Sequence, residues 1–148
     1  MMKLVSGPHL LPWAEGVIGF APRDDAKAIG VVDADGTIRS VTVFDNFSPC
    51  DCNMHIASDG SKRWLTRIYL RTAFYYPFVQ VGLRRVTGLV PASNSAALHF
   101  DLHLGFVREG LCRNALPDDD LIVLGMLREH CRFIPQEFRN MKGFRHGR

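Results

Sequence analysis

One segment of this 148-residue sequence, NSAALHFDLHLGFVREG at residues 94–110, carries the strongest structural signal in the chain. Asn94 is a preferred residue for capping the start of a helix, and Gly105 is typical of the position just after a helix end. Between them, apolar side chains recur at helical spacing, at Ala97, Phe100 and Leu104. The segment therefore predicts a helix over residues 94–104, its apolar side turned inward, and a strand from residue 106.

The sequence on both sides of this segment alternates between strand and helix patterns. Strands are predicted at residues 28–33, 37–44, 52–57, 84–91, 106–115 and 120–127, and further helices at residues 9–19 and 63–81. The strand–helix–strand unit in the middle requires a parallel crossover, whereas the flanking hairpins require antiparallel pairs. The sequence therefore predicts an α/β fold with a mixed sheet of about six strands, flanked by about three helices.

The composition is that of one globular domain. Hydrophobic residues make up 47% of the chain and charged residues 22%, which excludes wholesale disorder and collagen-like repeats. Every apolar run is shorter than the roughly 18 residues of a membrane helix, and no signal-peptide core follows Lys3. We therefore expect a cytoplasmic protein without a membrane partner.

The formal charge of +3 is concentrated at the carboxyl end. Residues 135–148 hold four basic residues and one acidic residue, and residues 1–134 are balanced. A nucleic-acid-binding domain carries its positive charge on a folded face, so this distribution argues against nucleic acid as a partner. It predicts one domain over residues 1–134 and a basic, flexible tail over residues 135–148. The arginine stripe at Arg63, Arg67 and Arg71 leaves a salt-sensitive binding surface as an alternative.

Two clusters contain residue types that bind metals. Cys50 and Cys52 lie near His55, but the Cys-x-x-Cys pairs of structural zinc sites are absent. His99 and His103 share a helical face without the glutamate that follows the first histidine in zinc peptidases. We therefore expect no metal site.

Two places allow either a structural or a ligand-binding interpretation. The turn at residues 58–61 leads into a helix that Asp59 or Ser61 would cap, and the same backbone N–H groups, with Lys62 and Arg63 beside them, would suit a phosphate. Asn94 either caps its helix or presents its amide to a ligand.

The segment at residues 94–110 resembles the C-terminal half of the GNAT-family acyl-CoA N-acyltransferases. In that family an asparagine, an alanine three residues on, and a Leu-Gly-Phe that precedes a Glu-Gly strand occur together, as they do here from Asn94 to Gly110. The final strand, DLIVLGMLREHC at residues 120–131, is also similar to the closing strand of the family. The resemblance implies a GNAT-like fold in which the two central parallel strands splay apart, here residues 52–57 and 84–90.

The resemblance implies transfer of an acetyl group from acetyl-CoA to a primary amine, without a metal. Pantetheine would lie in the splay, where backbone groups at Ile56, Ala57 and Ser58 would pair with it and polarise the thioester carbonyl. The Asn94 side chain would contact the pantetheine arm. The pyrophosphate would bind the loop after the strand, through Gly60, Ser61, Lys62, Arg63 and Trp64.

The sequence departs from the family pattern in two places. The phosphate loop of the family is rich in glycine, whereas this chain has Trp64 and Thr66 at the glycine positions. Many members also carry a tyrosine four residues before the glycine of Leu-Gly-Phe, as the acid for the departing thiolate. Here that residue is Asp101, to which no family role carries over, so leaving-group protonation falls to water or another side chain.

The base that deprotonates the amine should lie on or beside the strand at residues 52–57. His55 is the candidate because an imidazole has an ordinary pKa of about 6.5, and Asp45 and Asp51 are alternatives. The acceptor amine is not encoded in any motif, and a homodimer through the final strands is compatible with the pattern. The alternative to an enzyme is a catalytically degenerate GNAT-like module that binds CoA or another protein.

Overall fold

A seven-stranded sheet organises the chain in a computed structural model that describes residues 2–62 and 64–141. The strands are β1 (Lys3–Ser6), β2 (Lys27–Val32), β3 (Ile38–Asp45), β4 (Asn53–Ser58), β5 (Arg85–Pro91), β6 (Val107–Leu116) and β7 (Asp119–Leu127). They lie in the order β1-β2-β3-β4-β5-β7-β6. Neighbours are antiparallel except β4 and β5, which run parallel. The predicted mixed α/β class is confirmed.

The strand that the sequence prediction missed is β1. It contains only four residues, which is too short for a periodic pattern to be recognised. It extends the sheet by antiparallel pairing with β2, from Lys3 opposite Val32 to Ser6 opposite Ile29. The sheet therefore has seven strands where about six were expected.

Within the described residues, four α-helices and three other helical segments flank the sheet. The α-helices are α1 (Leu11–Ile18), α2 (Arg67–Tyr75), α3 (Ser95–Leu104) and α4 (Gln136–Arg139). Short 3₁₀ turns lie at Pro8–Leu10 and Arg128–His130, and a π-helical segment at Tyr76–Val81 continues α2. The predicted helix over residues 94–104 is confirmed, and it ends at Gly105, whose φ of 116° suits a residue without a side chain.

The start of α2 differs from the prediction. The helix was expected from residue 63 with a cap at Asp59 or Ser61, but it begins at Arg67. Its cap is Thr66, whose hydroxyl accepts a hydrogen bond of 3.1 Å from the Tyr69 N–H. Threonine is a good capping residue, so the helical pattern was detected correctly and its first turn was placed too early.

The face of the sheet that carries α1 is built around Leu10. This side chain is fully buried with Ala14, Val41, Val43 and Ala57. A Cβ on Gly30 of β2 would lie 3.1 Å from Leu10 Cδ1, so this glycine provides the room for the leucine. The contact holds α1 over β2, β3 and β4.

The opposite face carries α2 and the larger core. Phe44 and Met54 from β3 and β4 pack there with Phe74 and Phe78 from the α2 region. A group of hydroxyls is also buried on this face, since the Tyr69 hydroxyl hydrogen-bonds the side chains of Ser40 and Thr42. These bonds satisfy polar groups that would otherwise be costly to bury.

The carboxyl end of the described chain packs against the domain. Arg132 donates to the carbonyls of Leu104 and His103 at the end of α3, at 2.8 Å each, and Phe138 lies edge-on against Tyr75. Residues 142–148 of the predicted tail lie outside the described residues, and the domain boundary after residue 134 stays a prediction. No helix of the described chain is long and apolar enough to cross a membrane.

Candidate active site

The two central strands β4 and β5 separate soon after they meet. Only Asn53 and Thr87 are paired between them, and the Thr87 N–H donates to the Cys52 carbonyl at 2.8 Å. Beyond that point β4 stays paired with β3 up to Ser58, and β5 stays paired with β7 up to Pro91. The sheet therefore has a wedge-shaped gap between residues 54–58 and residues 88–91.

Backbone groups on the β4 side of this gap alternate in direction. The Ala57 carbonyl accepts a hydrogen bond from Ser40 Oγ at 3.1 Å, so the backbone of Ala57 faces β3. Because successive residues of a strand direct their N–H and C=O groups to opposite edges, Ile56 and Ser58 direct theirs into the gap. An extended ligand in the gap would meet backbone donors and acceptors at these two residues.

A cleft of about 210 Å³ passes through the gap. One wall comes from β4, with Met54, His55 and Ile56, and the opposite wall from β5 and α3. The mouth on the α1 side is apolar and is formed by Val17, Ile18 and Phe20. The cleft therefore connects the two faces of the sheet.

His55 forms a buried pair with Asp45. His55 Nε2 lies 2.9 Å from Asp45 Oδ1, and both side chains are almost fully buried. Asp45 Oδ2 also accepts the Arg23 N–H at 3.0 Å. Burial alone would raise the pKa of the Asp45 carboxyl, but the hydrogen bonds from His55 and Arg23 outweigh it and lower that pKa below its ordinary value.

The ionised Asp45 carboxylate determines which nitrogen of His55 carries the proton. A carboxylate only accepts hydrogen bonds, so Nε2–H is the donor, and in the neutral ring the lone pair is on Nδ1. The edge of the Phe20 ring packs against the imidazole at 5.5 Å between centroids. His55 is thus held in one orientation at the wall of the cleft.

The wall formed by α3 presents two polar side chains. Asn94 Oδ1 accepts the Ala97 N–H at 3.1 Å and caps the helix, which leaves the amide NH₂ of Asn94 at the cleft. Asp101 lies further along the same helix and also lines the cleft. Burial raises the pKa of Asp101 to about 7, and within the described chain no hydrogen bond reaches its carboxyl group.

Comparison with solved structures identifies the architecture. Spermidine N-acetyltransferase from Vibrio cholerae, in complex with CoA and spermine, matches with a TM-score of 0.71 at 14% identity, over 87% of this chain and 96% of that chain. The SpeG spermidine/spermine N-acetyltransferase from the same organism, with manganese ions, matches with a TM-score of 0.69 at 15% identity, over 85% and 92%. The chain has the GNAT fold. The sequence matches no family model and no curated protein.

The loop after β4 differs from the glycine-rich loop that the GNAT resemblance leads one to expect. Asp59 accepts the N–H and the hydroxyl of Ser61 at 2.9 and 2.7 Å, and Arg39 donates to the same carboxylate at 3.2 Å. The Gly60 N–H donates to Ser58 Oγ. The N–H groups of Gly60 and Ser61 are therefore bonded within the loop, with a carboxylate beside them.

Trp64 closes the loop by packing inward. It is 4% exposed, its ring meets Tyr69 and Phe100 edge-on, and Nε1–H donates to the Ser61 carbonyl. A glycine at this position would leave that space open. In this GNAT fold, an indole fills the region between the start of α2 and α3.

The predicted site residues fall into three groups. His55, Ile56 and Asn94 line the cleft, and Ser58 directs its backbone into the gap. Ala57, Gly60, Ser61, Lys62 and Trp64 are not among the lining residues. Arg63 lies outside the described residues. The sequence identified Asp101 only as a departure from the tyrosine that many GNAT members have at this position. The sequence signal that would have marked it as a site residue is a carboxylate on the inward face of a predicted helix.

All four cysteines, Cys50, Cys52, Cys112 and Cys131, are free thiols. Among residues 2–62 and 64–141, no group of three or more histidine, cysteine or carboxylate side chains is placed to hold a metal ion.

Proposed function

We propose that the chain is an N-acetyltransferase that moves an acetyl group from acetyl-CoA to a primary amine by direct attack on the thioester. The observation that carries this proposal is the gap between β4 and β5, which opens beside the His55–Asp45 pair. The extended pantetheine arm of acetyl-CoA would then lie in the gap, with its thioester next to the base.

The donor arm is assigned to the gap itself. The Ile56 and Ser58 backbones would pair with pantetheine as an added strand would, and the Asn94 amide would reach it from the α3 wall. A backbone N–H aimed at the thioester carbonyl would stabilise the negative charge that develops on its oxygen in the tetrahedral intermediate. Ala57 contributes its side chain to the core rather than its backbone to this contact.

The pyrophosphate is assigned to the start of α2 rather than to the loop N–H groups. Gly60 and Ser61 already donate within the loop, whereas Lys62, Arg67 and Arg71 are exposed cationic residues at or near the helix start. The positive end of the α2 dipole adds to their charge. The Asp59 carboxylate opposes phosphate here, so the cationic side chains carry more of the binding than in a glycine-rich loop.

His55 is assigned as the general base. Its Nδ1 would accept a proton from the attacking amine, and the Asp45 carboxylate would stabilise the imidazolium that forms. The amine would approach from the α1 side, where the cleft is lined by Val17, Ile18, Phe20 and Leu89. An acceptor with an apolar group next to its primary amine fits this mouth best.

The test is calorimetric titration of the full chain with acetyl-CoA, followed by a screen of primary amines for CoA release. We expect micromolar-range binding, weakened in Asn94→Ala and in the double variant Lys62→Ala/Arg67→Ala. Arg113→Ala is the matched control, because this exposed arginine lies on β6, two strands from the gap. No binding by the intact chain would overturn the proposal.

A second candidate function is a catalytically degenerate module with the same fold. The observation that favours it is the loop at residues 59–64, in which Trp64 and Asp59 occupy the position of a phosphate cradle. It predicts acetyl-CoA binding without CoA release in the presence of any amine, or a protein partner in place of CoA. The amine screen separates the two functions.

We also propose that copies of the chain associate through β6. This strand of ten residues lies at the edge of the sheet, and Val107 and Leu111 are 60% and 46% exposed. The spermidine N-acetyltransferase from Vibrio cholerae, which has a similar structure, forms a dodecamer. Light scattering of the wild type and of Leu111→Lys would show whether an oligomer forms and whether it depends on this edge.

A further inference from the structure

Asp101 is the other titratable residue, besides His55, among those that line the cleft. It is on α3, on the wall that Asn94 shares, and across the cleft from the β4 wall that carries His55. Within the described chain its carboxyl group has no hydrogen bond and no ion pair. A half-buried carboxyl group that lines a functional cleft without a structural partner is a candidate for a role in the chemistry.

The two titratable groups of the cleft are in opposite environments. Asp45 lies against His55 and stabilises its protonated form, which suits a group that accepts a proton. Asp101 has no neighbouring charge that shifts it, and burial alone raises its pKa to about 7. The cleft therefore has a candidate base that is paired with a carboxylate and, on the opposite wall, a carboxyl group without a partner that can hold a proton.

We propose that Asp101, in its neutral form, donates the proton that the departing CoA thiolate takes up. This inference rests on the proposed acetyltransferase function, and it replaces the expectation from the sequence that water or another side chain protonates the thiolate. The amine nitrogen attacks the thioester carbon and loses a proton to His55 Nδ1. The C–S bond then breaks, its electron pair goes to sulfur, and the Asp101 carboxyl proton moves to that sulfur. Amide and CoA thiol leave, and the Asp101 carboxylate and the His55 imidazolium return to their starting forms by proton exchange with water.

The position of Asp101 favours a role beside acetyl-CoA, the acetyl donor, rather than beside the amine that accepts the acetyl group. It shares α3 with Asn94, the residue assigned to the pantetheine arm that carries the sulfur. The apolar mouth assigned to the amine lies on the α1 side, where His55 contacts Phe20. A carboxyl group on the wall assigned to pantetheine would supply the thiolate with a proton from within the cleft.

The first experiment measures proton uptake and needs no acceptor. Acetyl-CoA is titrated into the full chain at pH 8 in buffers of different ionisation enthalpy. Free Asp101 is mostly ionised at this pH, and a thioester that excludes water from it raises its pKa further, so binding should take up close to one proton. We expect this uptake in the wild type and in His55→Gln, and none in Asp101→Asn.

The outcomes separate the inference from the proposed function. Binding with linked uptake that is absent in Asp101→Asn supports the inference. Binding with no uptake in the wild type, or with equal uptake in Asp101→Asn, overturns the inference and leaves the acetyltransferase proposal standing. An absence of acetyl-CoA binding overturns the proposed function and the inference with it.

The second experiment uses turnover with an amine found in the screen. In the wild type kcat should fall at alkaline pH as Asp101 loses its proton. Asp101→Asn should have kcat lowered about 100-fold, with no alkaline limb and with acetyl-CoA affinity within a few-fold. Asp101→Glu keeps an ionisable group and should recover part of kcat. A full loss of acetyl-CoA affinity in Asp101→Asn, with its fold intact by circular dichroism, would assign Asp101 to binding and overturn the acid role.

Discussion

His55 and Asp45 form a diagonal pair across two neighbouring strands on one face of the sheet. Asp45 is directly opposite Asn53, and His55 is directly opposite Val43, so the two side chains that meet are offset by two residues in the β3–β4 register. Diagonal neighbours on one face are within reach of long side chains. The antiparallel register of β3 and β4 therefore builds the pair, and a slip of one residue would turn His55 to the α2 face.

The first prediction concerns this pair. In Asp45→Asn, the amide no longer stabilises an imidazolium and can itself hydrogen-bond the ring in the wrong tautomer. We expect CoA release with an active amine to fall about 100-fold or more, and to the same extent in His55→Gln. Acetyl-CoA affinity should change little in both. Asp51→Asn is the matched control, since this carboxylate hydrogen-bonds Thr87 and does not line the cleft; a large loss there would move the base to Asp51.

The second prediction concerns stability and pH. The pKa of the Asp101 carboxyl is about 7 in the folded chain, against an ordinary aspartate value of 3.8, so the folded state binds the extra proton between these values. The contribution of Asp101 to the free energy of unfolding is therefore greatest below pH 4, and it is lost as the pH rises to about 7. At pH 8, Asp101→Asn should unfold at a higher free energy than the wild type, by about 2–4 kcal/mol, and the two should converge near pH 4. Urea denaturation at both pH values measures this difference.

The third prediction concerns Trp64. Its ring is buried against Tyr69 and Phe100, and Trp64→Ala would leave a large cavity between α2 and α3. We expect a loss of about 3–5 kcal/mol in the free energy of unfolding. Trp13→Ala is the control of matched chemistry, because Trp13 is only half-buried, and it should cost less. Equal costs at the two positions, measured by urea denaturation, would contradict the assigned packing.

The fourth prediction concerns the buried hydroxyls. Tyr69→Phe removes the hydroxyl that Ser40 and Thr42 share, and it leaves the Thr42 hydroxyl without this partner in the interior. The expected cost is about 1–2 kcal/mol. The double variant Tyr69→Phe/Thr42→Val removes both partners and should recover part of that loss. If the double variant were less stable than Tyr69→Phe alone, the hydroxyl bond would not be the source of the effect.

The sequence predicted the parts of the fold that depend on local signals. The helix from Ser95 to Leu104 had both a cap and a stop signal, and the hairpins had clear turns, so these elements were placed to within a few residues. The short β1 had neither a period nor a turn of its own. The start of α2 depends on Thr66 rather than on the earlier Asp59, which instead holds the loop together and pairs with Arg39.

The candidate site was only partly predictable for a related reason. His55 was named because an imidazole suits a base on the predicted strand at residues 52–57, and Asn94 because it begins a helix after a strand and matches the asparagine of the GNAT resemblance. The partner of His55 depends on strand register, and the environment of Asp101 depends on how α3 packs over the gap. Neither is a local property of the sequence, so the Asp45 contact and the buried carboxyl required the tertiary structure.

The single pairing of Asn53 with Thr87 has a mechanical consequence. It divides the sheet into a four-stranded part and a three-stranded part, whose backbones meet only at one end of the β4–β5 boundary, where the N–H groups of residues 84, 85 and 87 donate to the carbonyls of Cys50 and Cys52. The α2 region connects the two parts along the chain. A ligand bound in the gap would contact both β4 and β5, and it would therefore hold the two parts of the sheet together as well as fill the space between them. Hydrogen exchange at the backbone amides of both parts should then slow together when the gap is filled, which makes the sheet itself a reporter of occupancy.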